Sequence, residues 1–117
     1  MINIERNILS SILEYNFIQS EKKILNEILD YRIFIDKHHI LFVKSINRLK
    51  ELDEVVDSDT IRLKLQEVNK WDFYLEQSLL DIMTAQPFSS YKLFKDYLNI
   101  LEENYKQSKR NKIAMYI

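Results

Sequence analysis

The sequence predicts an all-α protein, a compact bundle of five to six helices, and three observations carry the prediction. Apolar residues recur at helical spacing along almost the whole chain. Pro87 is the single proline, and there is no glycine at all among 117 residues. Punctuation therefore falls to Ser, Asn and Asp, which serve at helix starts and turns.

The first helix runs from about Asn3, a plausible cap, to Asn16, with Ile4, Ile8, Leu9, Ile12 and Leu13 on one stripe. A second, capped by Ser20, places Ile24, Leu25, Ile28 and Leu29 inward. Asp36 caps a third, where Phe42, Val43, Ile46 and Leu49 repeat at i, i+1, i+4 and i+7. After the acidic turn Glu51 to Glu54, an extended stretch Val55-Val56-Asp57-Ser58-Asp59 leads into a fourth helix, capped by Asp57 and carrying Ile61, Leu65 and Val68. A fifth begins near Asp72, aligns Leu75, Leu79, Ile82 and Met83, and stops near Gln86, because Pro87 forces its predecessor out of the α region.

The last helix starts at Ser89 or Ser90 and puts Phe94, Leu98, Leu101 and Tyr105 on one face, with Glu102 four residues before Lys106 as an ion pair. Tyr91, Tyr97 and Ile100 fall away from that stripe, so the helix is apolar on two faces. Residues 1–88 read as a globular head and 89–117 as one long helix, a single domain overall. The apolar end Ile113-Ala114-Met115-Tyr116-Ile117 reads as cut rather than finished, to be covered by further chain or by a partner.

Composition narrows the chemistry. At a usual glycine content of about 7% the chain should hold roughly eight. Having none excludes the phosphate loop GxxxxGK[ST], the fingerprint GxGxxG, the GxSxG elbow and the glycine-kinked calcium loop. With no cysteine there is no disulfide, zinc-thiolate site or thiol nucleophile. A net charge of −1, with 46% apolar and 30% charged residues, is ordinary for a soluble domain. No signal peptide or membrane span is legible, and a cytoplasmic home is expected. No catalytic, cofactor-binding or metal-ligating residue is assigned.

The remaining constellations have bland readings. His38 and His39 point about 100° apart on a helix, which suits a helix start better than shared metal ligation. Asp36 with His39, and Asp57 with Asp59, could serve as acid–base pairs in a small helical enzyme, but capping accounts for the aspartates. Trp71, Phe73 and Tyr74 are expected in the core rather than as a base-stacking platform. The basic run Lys106, Lys109, Arg110 and Lys112 reads as a solvated face, with weak DNA contact as the alternative.

Several segments also form an ordered pattern. Asn3-Ile4-Glu5-Arg6-Asn7-Ile8-Leu9-Ser10-Ser11-Ile12-Leu13 comes first, then Ile33-Phe34, His38, Leu41-Phe42, Ser45-Ile46, Leu49, Val56-Asp57 and Thr60-Ile61. Thr84-Ala85-Gln86-Pro87 follows, then Tyr97, Ile100 and Leu101. In order and spacing this resembles the N-terminal domain of DnaB-type replicative DNA helicases, with its E-A-E-x-x-V-L-G-A-L-L first helix, H-x-x-I-F-x-A-I segment, I-D-x-x-T-L cap and N-T-P turn. Residues 3 to about 105 are covered. Ser10 and Asp53 stand where the family has glycine, the segment after Pro87 is about two residues longer, and Glu102 replaces an arginine.

The resemblance implies a helical head followed by a helical hairpin that pairs with neighbouring subunits in the collar of a hexameric ring, and a head that binds a DnaG-type primase. This chain would hold the head and the first hairpin helix. ATP and magnesium would belong to a motor domain that it lacks, so the fragment itself would be no enzyme and would need no cofactor. Tyr91, Tyr97, Ile100, Leu101, Asn104 and Tyr105 are the expected subunit or partner interface, in a bacterial cytoplasm and away from membranes. The alternatives are the helicase-binding C-terminal domain of a primase, which has a similar head fold, and a generic helical interaction module.

Overall fold

The computed structural model describes residues 2–14 and 28–115. They form α1 (Ile2–Glu14), a 3₁₀ turn (Tyr31–Ile33), α2 (Lys37–Glu51), α3 (Ser58–Glu67), α4 (Phe73–Met83) and α5 (Tyr91–Met115), with no strand among the described residues. The all-α prediction holds. The helix expected after Ser20 lies outside the described residues apart from its last positions. There Leu29 is buried, but Ile28 is exposed and neither is helical, so the inward stripe does not extend to Ile28.

Aspartates start three of the helices, two of them, Asp36 and Asp57, as expected from the sequence. Asp36 accepts from the N–H groups of His38 and His39, Asp57 from Thr60 in a reciprocal capping box, and Asp72 from Leu75. Partial burial of Asp36 works to raise its pKa, but the two N–H bonds and the neighbouring histidines outweigh it and hold the carboxyl below its ordinary range. Asn3 is not a cap, because α1 already begins at Ile2. Helix α4 stops at Met83, three residues earlier than expected, where the Thr84 and Ala85 N–H groups bond back to Leu80 and Ile82.

Two helix ends solve a problem that the composition creates. Helices commonly end on a glycine in the left-handed region, and this chain has none. Asp53 and Asn69 take that conformation instead, with φ of 55° and 57°. At each, paired bonds satisfy the orphan carbonyls: Asp53 to Lys50 and Glu54 to Leu49 close α2, while Asn69 to Gln66 and Lys70 to Leu65 close α3. Asp53, where the resemblance expects a turn glycine, thus keeps the glycine conformation. Val68, expected on the inner stripe, is the cap residue of α3 and is exposed; Met83, the last residue of α4, is exposed as well.

The core is one cluster built on Ile8, Leu9 and Ile12 of α1, Phe42, Val43, Ile46 and Leu49 of α2, Ile61 and Leu65 of α3, Leu75, Leu79 and Ile82 of α4, and Phe94, Leu98 and Leu101 of α5. Helix α1 touches α2, α4 and α5, and so is buried on more than its apolar stripe. The buried serines and Glu5 that this traps are bonded, while the Arg6 Nε is left without a partner. The Ser10 hydroxyl donates to the Ala85 carbonyl at 2.9 Å, and Ser11 donates to Asn7 and accepts from the Phe88 N–H, each at 2.8 Å. Ser10, standing where the resemblance expects glycine, thereby ties α1 to the segment around Pro87.

Glu5 is the deepest of these groups, with 0% of its surface exposed. One carboxylate oxygen accepts from the Ile35 N–H at 3.0 Å, the other from the Asp36 N–H at 3.3 Å and from His39 Nδ1 at 2.8 Å. His39 is itself 1% exposed. It is the Nδ1 side of the ring that faces the carboxylate.

Two stability predictions follow from these geometries. Asp53→Gly and Asn69→Gly each relieve a left-handed non-glycine residue, and each should raise unfolding stability by about 0.5 kcal/mol in urea titrations, whereas alanine at either site should lower it by about 1 kcal/mol. Glu5→Ala, which removes the carboxylate that holds the Ile35 and Asp36 N–H groups and the buried His39 ring, should cost about 3 kcal/mol or more by the same measurement, and Glu5→Gln, which offers one acceptor oxygen for two, should fall between.

Candidate interaction surface

Helix α5 carries the residues that the sequence singles out for contacts. Its 25 residues rise about 37 Å, longer than the rest of the bundle needs. From Lys106 to Asn111 every residue is exposed, so the helix leaves the body of the protein after Tyr105.

The six predicted interface residues divide between two stripes. Leu101 is buried among the core residues and offers nothing to a partner. Tyr91 and Tyr105 are half-buried and pack against the same core, with Tyr91 stacked near Phe94 at 6.5 Å between centroids. These three lie on the inward side of α5, and Tyr97, also half-buried, packs against the core from the second stripe. Tyr97 and Ile100 lie on the second stripe with Asn104, which is exposed. Tyr97 has a partner within the chain, the Phe88 ring, stacked at 4.7 Å and 17°.

Leu93 completes the second stripe and was not singled out from the sequence. It is 39% exposed and Ile100 40%. Leu93, Tyr97, Ile100 and Asn104 are spaced i, i+4, i+7 and i+11, the seam along which two helices pair, and this stripe lies about 100° around the helix from the core-facing one. The signal was present as a heptad spacing back from Ile100. It was masked because Leu93 adjoins Phe94 of the core stripe.

The basic run does not act as one cluster. Lys106 pairs with Glu103 at 3.4 Å rather than with the expected Glu102. Lys109 sits over the Tyr105 ring at 5.1 Å and adds to the field that, behind the dominant Arg32 hydrogen bonds, lowers the Asp30 pKa. Arg110 is exposed, and the side chain of Lys112 lies outside the described residues.

The histidines do not converge either. His38 is half-buried at the start of α2 and gives its N–H to Asp36, while His39 turns inward to Glu5. Buried as they are, Glu5 and His39 cannot meet a substrate, so their pairing is structural. Sequence reading paired His39 with Asp36 and missed Glu5, which is 34 residues away.

The expectation for the aromatic trio is overturned in part. Trp71 packs against the core, but Phe73 and Tyr74 are 74% and 70% exposed, edge to face at 5.8 Å. Asp72 caps α4, so these two residues form its first turn, and the inward stripe begins only at Leu75.

No family model matches the chain, and no curated protein matches it. Among solved structures, the N-terminal domain of DnaB helicase from Helicobacter pylori, a domain described together with its interactions with primase, superposes with a TM-score of 0.76 at 23% identity. It covers 98% of this chain and 86% of that one. The present chain thus has the fold of that domain, which agrees with the resemblance read from the residues.

The two stripes of α5 separate in stability measurements. Leu101→Ala should cost about 3 kcal/mol and Tyr97→Ala about 1 kcal/mol through loss of its stack, while Ile100→Ala should stay within about 0.5 kcal/mol in denaturant titrations.

Proposed function

We propose that the chain is the non-catalytic N-terminal domain of a hexameric replicative DNA helicase, which joins neighbouring subunits in the ring collar and binds a DnaG-type primase in the bacterial cytoplasm. The observation that carries this reading is the fold shared with the Helicobacter pylori helicase domain over 98% of the chain. The primase interactions of that domain support primase as a partner here.

The second stripe of α5 supplies the subunit contact. Leu93, Tyr97 and Ile100 present apolar surface at a coiled-coil spacing, with Tyr97 held in one orientation by Phe88. A rigid aromatic anchor flanked by aliphatic residues is the kind of patch that dominates interface energies, since little side-chain entropy is lost on docking. Asn104 continues the stripe with a polar group able to set register. Hydrolysis of ATP with magnesium would reside in a separate motor domain, and DNA contact through Lys106, Lys109, Arg110 and Lys112 would be weak.

The reading is tested by titrating the chain with the C-terminal domain of a DnaG-type primase in a calorimeter. Binding at micromolar affinity with defined stoichiometry supports it. Absence of primase binding, combined with binding to a helicase N-terminal collar, would instead assign the chain to the primase side of the contact. For the α5 stripe, Leu93→Glu with Ile100→Glu should weaken self-association at least about tenfold in sedimentation equilibrium while leaving the melting temperature unchanged. Unchanged association would remove that face from the interface.

A further inference from the structure

A groove of about 450 Å³ runs between the C-terminal ends of α2 and α3. Its floor is apolar, made by Leu41, Leu52, Leu65 and Val68, of which Leu52 and Val68 are exposed. Both exposed residues are the cap positions left outward when the chain turns at Asp53 and Asn69. No residue of α5 lines it, so it is distinct from the stripe assigned to subunit contact.

Cations stand on both walls of the rim, with Glu67 beside them. Lys44 and Arg48 stand one turn apart on α2, and Lys64 and Lys70 lie on the α3 side. Two of these charges are already answered: Arg48 pairs with Glu51 at 3.1 Å, and Lys64 with Glu54 at 3.7 Å and Glu67 at 3.5 Å. Lys44 lies over the Tyr31 ring at 4.6 Å, and no carboxylate among the described residues is within ion-pair distance of Lys44 or Lys70. One uncompensated cation therefore remains on each side of an exposed apolar floor.

The geometry points to a docking site for an amphipathic helix of a protein partner, one carrying apolar residues at i, i+3 or i+4, and i+7, with carboxylates on both flanks. A furrow between two helices receives a third helix by its apolar face, and the flanking lysines select negative charge on either side. Nucleic acid suits the groove poorly. Its floor is apolar, and the lining offers no aromatic ring on which a base could stack.

The test uses the whole chain and two labelled synthetic helices with the same leucine stripe, one flanked by Glu and the other by Lys, followed by fluorescence anisotropy at low salt. The Glu-flanked helix should bind at least about tenfold more tightly than the Lys-flanked one. Lys44→Glu with Lys70→Glu, both on exposed positions, should abolish or invert that preference without altering the melting temperature, and Val68→Asp should weaken the Glu-flanked helix independently. Equal binding of the two helices, insensitivity to the double charge reversal, or full displacement of the bound helix by a single-stranded oligonucleotide would overturn the proposal. Primase binding through another face can fail or succeed without changing any of these outcomes.

Discussion

The Glu5 carboxylate lies where three segments of the chain meet: α1, the extended stretch at Ile35 and Asp36, and the first turn of α2. A buried carboxylate is tolerated only when its acceptor sites are filled, and here backbone and imidazole donors occupy both oxygens. The same requirement recurs along α1. Ser10 and Ser11 reach the Ala85 carbonyl and the Phe88 N–H, so the helix is fixed at one end to α2 and along its middle to the Pro87 segment. Because α1 touches α2, α4 and α5, these polar ties set the frame on which the apolar contacts are arranged.

Lack of glycine shapes the surface as well as the backbone. Asp53 and Asn69 close α2 and α3 in the left-handed region that glycine occupies at least cost, and their short polar side chains make that conformation accessible. Each closure leaves the preceding apolar cap residue, Leu52 or Val68, facing outward. The two ends are neighbours, so two local backbone solutions produce one continuous apolar furrow. Arg48 and Lys64 of its rim stand in the last turns of the two helices, where they also face the negative ends of the helix dipoles.

On α5 a single helix holds the core with one stripe and offers another about 100° away. Tyr97 belongs to both tasks, since the stack on Phe88 orients a ring that remains partly open to solvent. The residues that look alike in the sequence, Tyr91, Tyr97 and Tyr105, therefore differ in what they can do. The stack on Phe88 sets Tyr97 apart from the other two.

Sequence alone determined what depends on nearest neighbours along the chain: helical stripes such as Phe42, Val43, Ile46 and Leu49, the capping aspartates at 36 and 57, and the break before Pro87. These are properties of a few consecutive residues, because capping bonds span three positions and helical faces repeat every 3.6. The resemblance to the helicase domain was likewise legible in the order and spacing of such local features, and the fold agrees with it. Tertiary structure decided the rest. It chose Glu5 as the partner of His39 across 34 residues, turned Phe73 and Tyr74 to solvent, and brought the ends of α2 and α3 together into a groove. None of these follows from spacing, because burial of a side chain depends on which element lies against its face, and that is settled only when distant segments compete for the same apolar surface.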